Sequence, residues 1–389
     1  MRIDVAERRR RLGVRHALAA PVTSAEEVAS SVTALHSTDP ASMVLSAMAR
    51  LARPEVAEVE RALYADRSLV RVLAMRRTVF AVPAQDCGAY LASVQHSVAG
   101  PEYRKLRGMI ADSGIAEPDT WLASAHAAAL AAFDRLEEFS SAELAAADPL
   151  LGTRIEVGAG TKYATSQSIA SRLLTVMSAE GHVVRARPAG SWASTQFRWA
   201  AMHRWLPALG PLPDAAEARA TVARRWLARF GPARPEDLQW WTGWTKGHTT
   251  AALATLDLAE VTLDGAPGIA LADDLEPTPD PGPWVALLPA LDPTTMGWKQ
   301  RDWYLGPHAE RVFDTTGNAG PTVWKDGEIV GGWAIRDDGT VAVRLLADVG
   351  AEAGAAIDAE AAALEQRLGG TVVKARGRRW TPVEKELRG

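Results

Sequence analysis

Two side chains of this 389-residue chain combine reactivity with proximity: His36 and Thr38, within Ala34-Leu35-His36-Ser37-Thr38-Asp39-Pro40-Ala41-Ser42. A neutral imidazole can take a proton from water, and a hydroxyl two residues away can hold that water in place. The flanking residues predict a tight turn between two helices. Upstream, Ser24 and Glu27 have capping-box spacing and Val28, Val32 and Leu35 continue an apolar face, so a helix over about 24–36 is expected. Downstream, Asp39 before Pro40 is a helix start, and Met43, Val44, Ala47, Met48 and Leu51 supply the next apolar face. The same residues also suit a structural role: a histidine can interact with a helix C-terminus, and a threonine can simply close a turn.

The elements that must hold this turn follow a recurring order. Residues 1–20 read as a helix whose run Arg8-Arg9-Arg10-Arg11 faces phosphate or solvent. Helices on either side of His36 and a third from Arg53-Pro54-Glu55 through Val59, Leu63 and Tyr64 lead into a ribbon over 69–83, with its wing near 76–82. Three helices followed by a ribbon is the order of a winged helix. Further on, an alanine-rich helix and the cap signal Ser140-Ser141-Ala142-Glu143 precede 165–174, which reads as a helix whose polar face, with Gln167, suits DNA. Residues 182–187 and 195–199 then alternate like two strands joined through Pro188-Ala189-Gly190-Ser191. Arg185, Arg187 and Arg198 fall on alternating positions of that ribbon, and Trp192 beside its tip is expected to be exposed to ligand. A third copy starts near Asp214, with helices over 215–230, 235–241 and 244–256 and a ribbon opening at Val261. Beyond it come a buried strand at Trp284-Val285-Ala286-Leu287-Leu288, a hairpin across Asp326-Gly327, a strand over 340–346, a helix over 351–368 and a strand near Val372. The expected fold class is α+β, three tandem winged-helix units with a C-terminal mixed β/α region, divided at 1–115, 116–210 and 211–389. No residue-level repeat joins the units; only the order of elements does.

Composition narrows the partners. With 47% hydrophobic and 23% charged residues the balance is that of an ordinary globular protein, and 389 residues suffice for two or three cores. The lone Cys87 rules out an internal disulfide and argues for a reducing, cytoplasmic setting. No segment reads as a signal peptide or a membrane anchor. The net charge of −4 hides an asymmetry: residues 1–210 carry a balance of +3 and 211–389 one of −7, with the basic excess concentrated over 151–210. Arginine outnumbers lysine heavily, which suits forked contacts to phosphate and equally a GC-rich genome. Gly158-Ala159-Gly160-Thr161-Lys162 lacks the spacing of a phosphate loop, no Gly-x-Ser-x-Gly elbow is present, and the eight histidines are scattered, so neither a metal cage nor a cofactor is expected.

Several stretches, in order along nearly the whole chain, carry a family resemblance. They are Leu35-His36-Ser37-Thr38-Asp39-Pro40-Ala41, Ser68-Leu69-Val70-Arg71, Met75-Arg76-Arg77-Thr78, Gly190-Ser191-Trp192, Trp240-Trp241-Thr242-Gly243, Leu288-Pro289-Ala290-Leu291-Asp292-Pro293, Pro321-Thr322-Val323 and Gly331-Gly332-Trp333. Together they resemble the winged-helix superfamily of AlkZ-like DNA glycosylases. The resemblance implies a concave body of three winged helices that binds double-stranded DNA and excises bulky alkylated purines, including adducts of DNA-damaging natural products and crosslinks. The family's catalytic signature is Gln-x-Gln or Gln-x-Asp, and here His36 and Thr38 stand at the matching positions. The family's Arg-Gly-Thr-x-His reads Arg76-Arg77-Thr78-Val79-Phe80, so Phe80 replaces its histidine.

The expected reaction is hydrolysis at C1′ by a monofunctional glycosylase acting as a monomer. His36 accepts a proton from the attacking water and Thr38 orients it; Asp39 is expected to cap its helix rather than to face the sugar. Arg76, Arg77, Thr78, Gln167, Arg185, Arg187, Trp192 and Arg198 are the expected DNA contacts. The competing readings are a noncatalytic winged-helix regulator and a protein that sequesters a natural product through its tryptophans.

Overall fold

The computed structural model describes residues 1–157, 165–371, 373 and 379–389. The phosphate-loop likeness at 158–162 and the strand near Val372 lie outside the described residues.

A short strand β1 (Arg2–Ile3) and helix α1 (Val5–Arg15) come first, and they dock far along the chain. β1 pairs in parallel with Thr262 and Leu263, in a strand of the third unit. The arginine run of α1 is more enclosed than expected: Arg8 and Arg11 are buried, Arg9 and Arg10 are partly exposed, and all four heads meet protein groups. Arg8 lies 4.1 Å over Trp303, Arg9 donates to the Trp303 carbonyl and pairs with Glu328, Arg10 pairs with Glu7, and Arg11 bonds Glu7 and the carbonyls of Asp274 and Glu276. Buried guanidinium groups need such partners, because desolvating an unpaired charge costs several kcal/mol, roughly.

The first unit follows as α2 (Ala25–Ser31), β2 (Leu35–His36), α3 (Pro40–Met48), α4 (Val56–Glu60) with a π turn over Arg61–Ala65, β3 (Leu69–Ala74) and β4 (Thr78–Pro83). The capping box at Ser24 and Glu27 forms as its spacing predicts. The helix, however, ends at Ser31 rather than near His36. Thr33 takes a left-handed φ of 68°, and the next residues satisfy their backbone groups by pairing with β4 instead of continuing the helix. α5 (Cys87–Val94) and α6 (Gly100–Asp112) lead to the second unit: α7 (Pro118–Phe133), β5 (Glu138–Phe139), α8 (Ser141–Ala147), α9 (Pro149–Gly152), a hairpin β6 (Arg154–Val157) and β7 (Thr165–Ser168), α10 (Ile169–Ala179), β8 (Val183–Arg185), β9 (Trp199–Ala201) and a short α11 (Met202–Trp205). Here too the expected helix starts late. Thr165 to Ser168 are poor helix formers and pair with β6, so Gln167 sits on a strand opposite Ile155. The β9 strand likewise begins only at Trp199.

The third unit comprises α12 (Ala215–Phe230), α13 (Pro235–Thr242), α14 (Lys246–Leu253), β10 (Leu258–Leu263) and β11 (Ala266–Leu271). One pairing rule runs through all three. In the first unit the sheet order is β2-β4-β3, in the second β5-β9-β8, and in the third the single bridge at Ala233 pairs with Ile269 of β11, which pairs with β10. Each time the short first strand joins the last, not its neighbour in sequence.

The C-terminal region holds β12 (Val285–Leu288), short helices α15 (Asp302–Leu305) and α16 (Ala309–Val312), β13 (Thr322–Lys325), β14 (Glu328–Ile335), β15 (Val341–Leu345), α17 (Ala351–Leu368) and α18 (Pro382–Arg388). Its four antiparallel strands run in sequence order. The Asp326-Gly327 turn forms as expected, with both residues at positive φ, the geometry a two-residue hairpin loop requires. Leu45 of α3 shares a buried cluster with Leu287, Trp333, Ile357 and Leu364, so this region backs the helix that follows Thr38.

A buried polar knot locks that contact. The Arg50 guanidinium is fully buried and donates to both Asp292 carboxylate oxygens at 2.8 and 2.7 Å, to Thr294 Oγ1 at 2.8 Å, and to the carbonyls of Ser46 and His16 at 2.7 and 2.9 Å. Every N–H of the fork finds an acceptor, which is the condition for burying this charge at all.

Candidate active site and nucleic-acid face

β2 positions the two reactive side chains. Burial alternates through the strand and the bend after it: Leu35 and Ser37 are buried, while His36 and Thr38 are the less buried pair. His36 is half-buried and Thr38 exposed. The scaffold differs from the expected turn between two helices: His36 ends a strand at a sheet edge, and Thr38 stands in the bend that follows it. The Ser37 N–H donates to the Val79 carbonyl at 2.8 Å, and the Val79 N–H donates to Thr38 Oγ1 at 3.3 Å, so β4 holds both ends of the motif.

Two further groups fix it from behind. Arg71 Nε donates to Ser37 Oγ at 2.8 Å and Nη2 to the Ser37 carbonyl at 3.2 Å. Asp39 caps α3, its Oδ1 accepting from the Ala41 N–H at 3.2 Å and its Oδ2 from the Ser42 hydroxyl at 3.1 Å. The capping role expected for Asp39 is therefore the observed one.

The His36 ring meets Phe80 edge-on at 5.7 Å, and its Nδ1 is buried without a hydrogen-bond partner among the described residues. Burial, and secondarily the nearby Arg76 charge, lower its pKa to about 4. The imidazole is thus neutral at physiological pH and available as an acceptor.

Arg76 sits at the tip between β3 and β4 with φ 53°, its guanidinium 4.3 Å over the Trp240 ring. Arg301 reaches the same ring at 4.9 Å and Phe313 at 4.6 Å. Burial, and secondarily the nearby Arg301 charge, lower the Arg76 pKa to about 10. Gly243 makes this seat possible: it ends α13 at φ 72°, and a Cβ there would stand 2.9 Å from Arg76 Cγ. Trp241 packs at 6.1 Å from Phe80. The Trp240-Trp241-Thr242-Gly243 stretch therefore belongs to the part of the third unit that meets the first beside His36.

The other expected DNA contacts scatter more widely. Thr78 is half-buried, its hydroxyl directed to the Arg76 carbonyl at 3.4 Å, while Arg77 is exposed and pairs with Glu102 at 2.6 Å. Arg185 lies between Phe197 and Trp199, 4.4 and 4.2 Å from the ring centres. Together with Arg71, Val79, Thr175 and Ser178 it lines a cavity of about 40 Å³ behind the first unit's sheet. Arg187 is exposed, stacked over Tyr64 at 4.4 Å and paired with Glu60 at 2.7 Å. Arg198 donates to the Glu138 carbonyl and pairs with Glu143 at 3.2 Å. Gln167 is half-buried, with its amide on Thr165 Oγ1 at 3.0 Å. Trp192 is less open than expected: it is partly buried against both the first unit's core and the C-terminal cluster. An indole beside two apolar surfaces gains more by covering them than by facing water.

Sequence reasoning missed Arg301, whose position beside Trp240 had no local signal. It also missed a cleft of about 790 Å³ along α12, fringed by Arg219, Arg224, Arg225 and Arg229 and floored by alanines. The spacing of those arginines on one helix was the available clue.

Residues 29–367 match the family model described as DNA glycosylase AlkZ-like. Among solved structures, the Streptomyces sahachiroi DNA glycosylase AlkZ superposes with a TM-score of 0.75, over 97% of this chain and 100% of that one, at 21% sequence identity. An identity that low speaks for a shared fold alone. No curated protein matches this chain in sequence. No helix is long and apolar enough to cross a membrane among the described residues. With a family match over most of its length, the chain belongs to the AlkZ-like DNA glycosylases.

Proposed function

We propose that this protein is a monofunctional glycosylase, acting as a monomer in the cytoplasm on double-stranded DNA, that removes bulky N7-alkylated purines. The three units, 1–115, 116–210 and 211–389, are read as tandem winged helices around a concave DNA surface. The observation that carries the proposal is a neutral imidazole at the end of β2 and, two residues on, an exposed hydroxyl, next to a guanidinium seated on Trp240.

Alkylation at N7 leaves the purine cationic, so the C1′–N9 bond breaks with its electron pair going to the base, and no acid is needed for the leaving group. A water oxygen then bonds to C1′ and loses a proton to His36, which later passes it to solvent. A base of pKa about 4 is no stronger than a carboxylate, the group that activates water in inverting glycosidases, where the sugar is likewise cationic in the transition state. Thr38 keeps its hydroxyl hydrogen available for the water while its oxygen accepts from Val79. Arg76, Arg77, Thr78, Gln167, Arg185, Arg187 and Arg198 are proposed to hold the DNA backbone. Such an activity fits self-resistance to a DNA-alkylating natural product or crosslink repair.

The test is release of an N7-alkylguanine from duplex DNA, read as alkali-labile breaks. The wild type should leave them, and His36→Ala should lower the single-turnover rate by roughly 10²–10⁴. Saturable DNA binding by the wild type with no breaks would leave the noncatalytic binding reading in place of this one.

A further inference from the structure

Three ligand-type side chains that the sequence separates are gathered in the second unit. His126 projects from α7, Glu180 is the C-terminal cap of α10, and His182 follows Gly181, whose φ of 86° turns the chain. His126 Nε2 stands 2.9 Å and His182 Nε2 3.8 Å from the same oxygen, Oε2 of Glu180. The two rings meet edge to face at 5.1 Å, and one ligand atom from each residue lies within 4.8 Å of the others.

A hydrogen bond accounts for His126 and Glu180, but 3.8 Å is too long for one from His182. Nor does any lysine or arginine pair with Glu180 among the described residues; its carboxylate meets only imidazoles. Tetrahedral coordination with bonds of about 2.0–2.2 Å puts ligand atoms roughly 3.3–3.6 Å apart, and the two observed separations straddle that range. Two imidazoles and a carboxylate with a remaining open position suit zinc chemically.

We propose that His126, Glu180 and His182 form a binding site for a divalent transition metal, zinc or a close analogue, with water in the fourth position. The site is partly exposed, so the ion reaches it from solvent. It ties α7 to the root of the hairpin that begins at Val183 and carries Arg185, Arg187 and Arg198. The sequence-based expectation of no metal arose because His126 stands more than fifty residues before its partners.

The test uses tag-free, chelator-treated full-length protein titrated with Zn²⁺ by calorimetry and with Co²⁺ by visible absorption. One-to-one binding, ligand-field bands from Co²⁺ and a Zn²⁺-dependent rise in melting temperature are expected. His126→Ala and His182→Ala should each weaken binding at least tenfold and abolish the rise, with unchanged far-ultraviolet dichroism showing that both still fold. Absence of saturable one-to-one binding, or affinity unchanged in both variants, would overturn the proposal whatever the protein does to DNA.

Discussion

His36 and Phe80 are register partners across β2 and β4, and their rings meet at 5.7 Å with planes 77° apart. These are two of the positions at which the chain departs from the pattern it resembles, glutamine at the first and histidine at the second. On the resemblance drawn from the sequence, both departures fall on this one cross-strand pair, and we propose that His36 stands in for the histidine absent at Phe80.

A first prediction follows from that exchange. His36→Gln should retain more excision than His36→Ala, since an amide oxygen can still accept a hydrogen bond from water. Adding Phe80→His to His36→Gln should recover activity beyond the sum of the single changes, because contacting residues couple. Single-turnover rates of the four proteins check this; strict additivity would deny a shared role.

The pH dependence should be unusual for a histidine enzyme. Excision should stay flat down to about pH 5 and fall with a midpoint near 4, because burial and then Arg76 lower the His36 pKa to about 4. Arg76→Gln removes the second cause and should move the midpoint upward. Stability carries the same sign. The unfolded chain, with a histidine pKa near 6.5, binds more protons than the fold between about pH 6.5 and 4, so this residue's contribution is full above that window and lost as pH falls through it. A midpoint near 6.5 in the single-turnover profile would exclude His36 as the titrating base.

Gly243 offers a test of how Arg76 is seated. Gly243→Ala imposes a left-handed φ on a residue with a Cβ and sets that atom 2.9 Å from Arg76 Cγ. It should cost about 1–2 kcal/mol in urea denaturation and weaken excision more than its stability loss explains. If the rate is unchanged, the Trp240 seat has no part in the chemistry.

How far the sequence foretold this arrangement depends on the element. Caps and turns are written in local chemistry, so the Ser24–Glu27 and Ser140–Glu143 boxes, the Asp39 cap and the Asp326-Gly327 hairpin were legible. β2 was not, because a two-residue strand has no period to detect and owes its form to β4, some forty residues on. The arginines of α1 were ambiguous for a different reason. A run of charge states a need for partners, and the partners, Trp303, Asp274 and Glu328, lie more than 250 residues away. The closeness of His36 and Thr38 along the chain is plain in the sequence, but the strand edge that holds His36 is not, since its partner β4 lies far along the chain.

The buried knot at Arg50 should be the molecule's most sensitive polar site. Asp292→Ala removes the carboxylate that accepts from two guanidinium nitrogens and from Ser46 Oγ, leaving a fully buried cation. Breaking such a pair typically costs about 3–5 kcal/mol, whereas Arg50→Met with Asp292→Leu should cost less, since neither charge remains to desolvate. Chemical denaturation of both proteins decides between them.

The intramolecular pairing of Arg187 gives a last prediction about the DNA face. Its guanidinium is held by Glu60 at 2.7 Å, so a phosphate would have to compete with that carboxylate. Glu60→Gln keeps the shape and removes the competitor. Binding to undamaged duplex should tighten, and the slope of log K against log salt should steepen by about 0.9, the counterion release expected for one more phosphate contact. Arg187→Gln should flatten the slope relative to Glu60→Gln by the same amount. Should both variants leave the slope where the wild type has it, Arg187 serves to join the second unit to α4 and Tyr64 rather than to grip DNA.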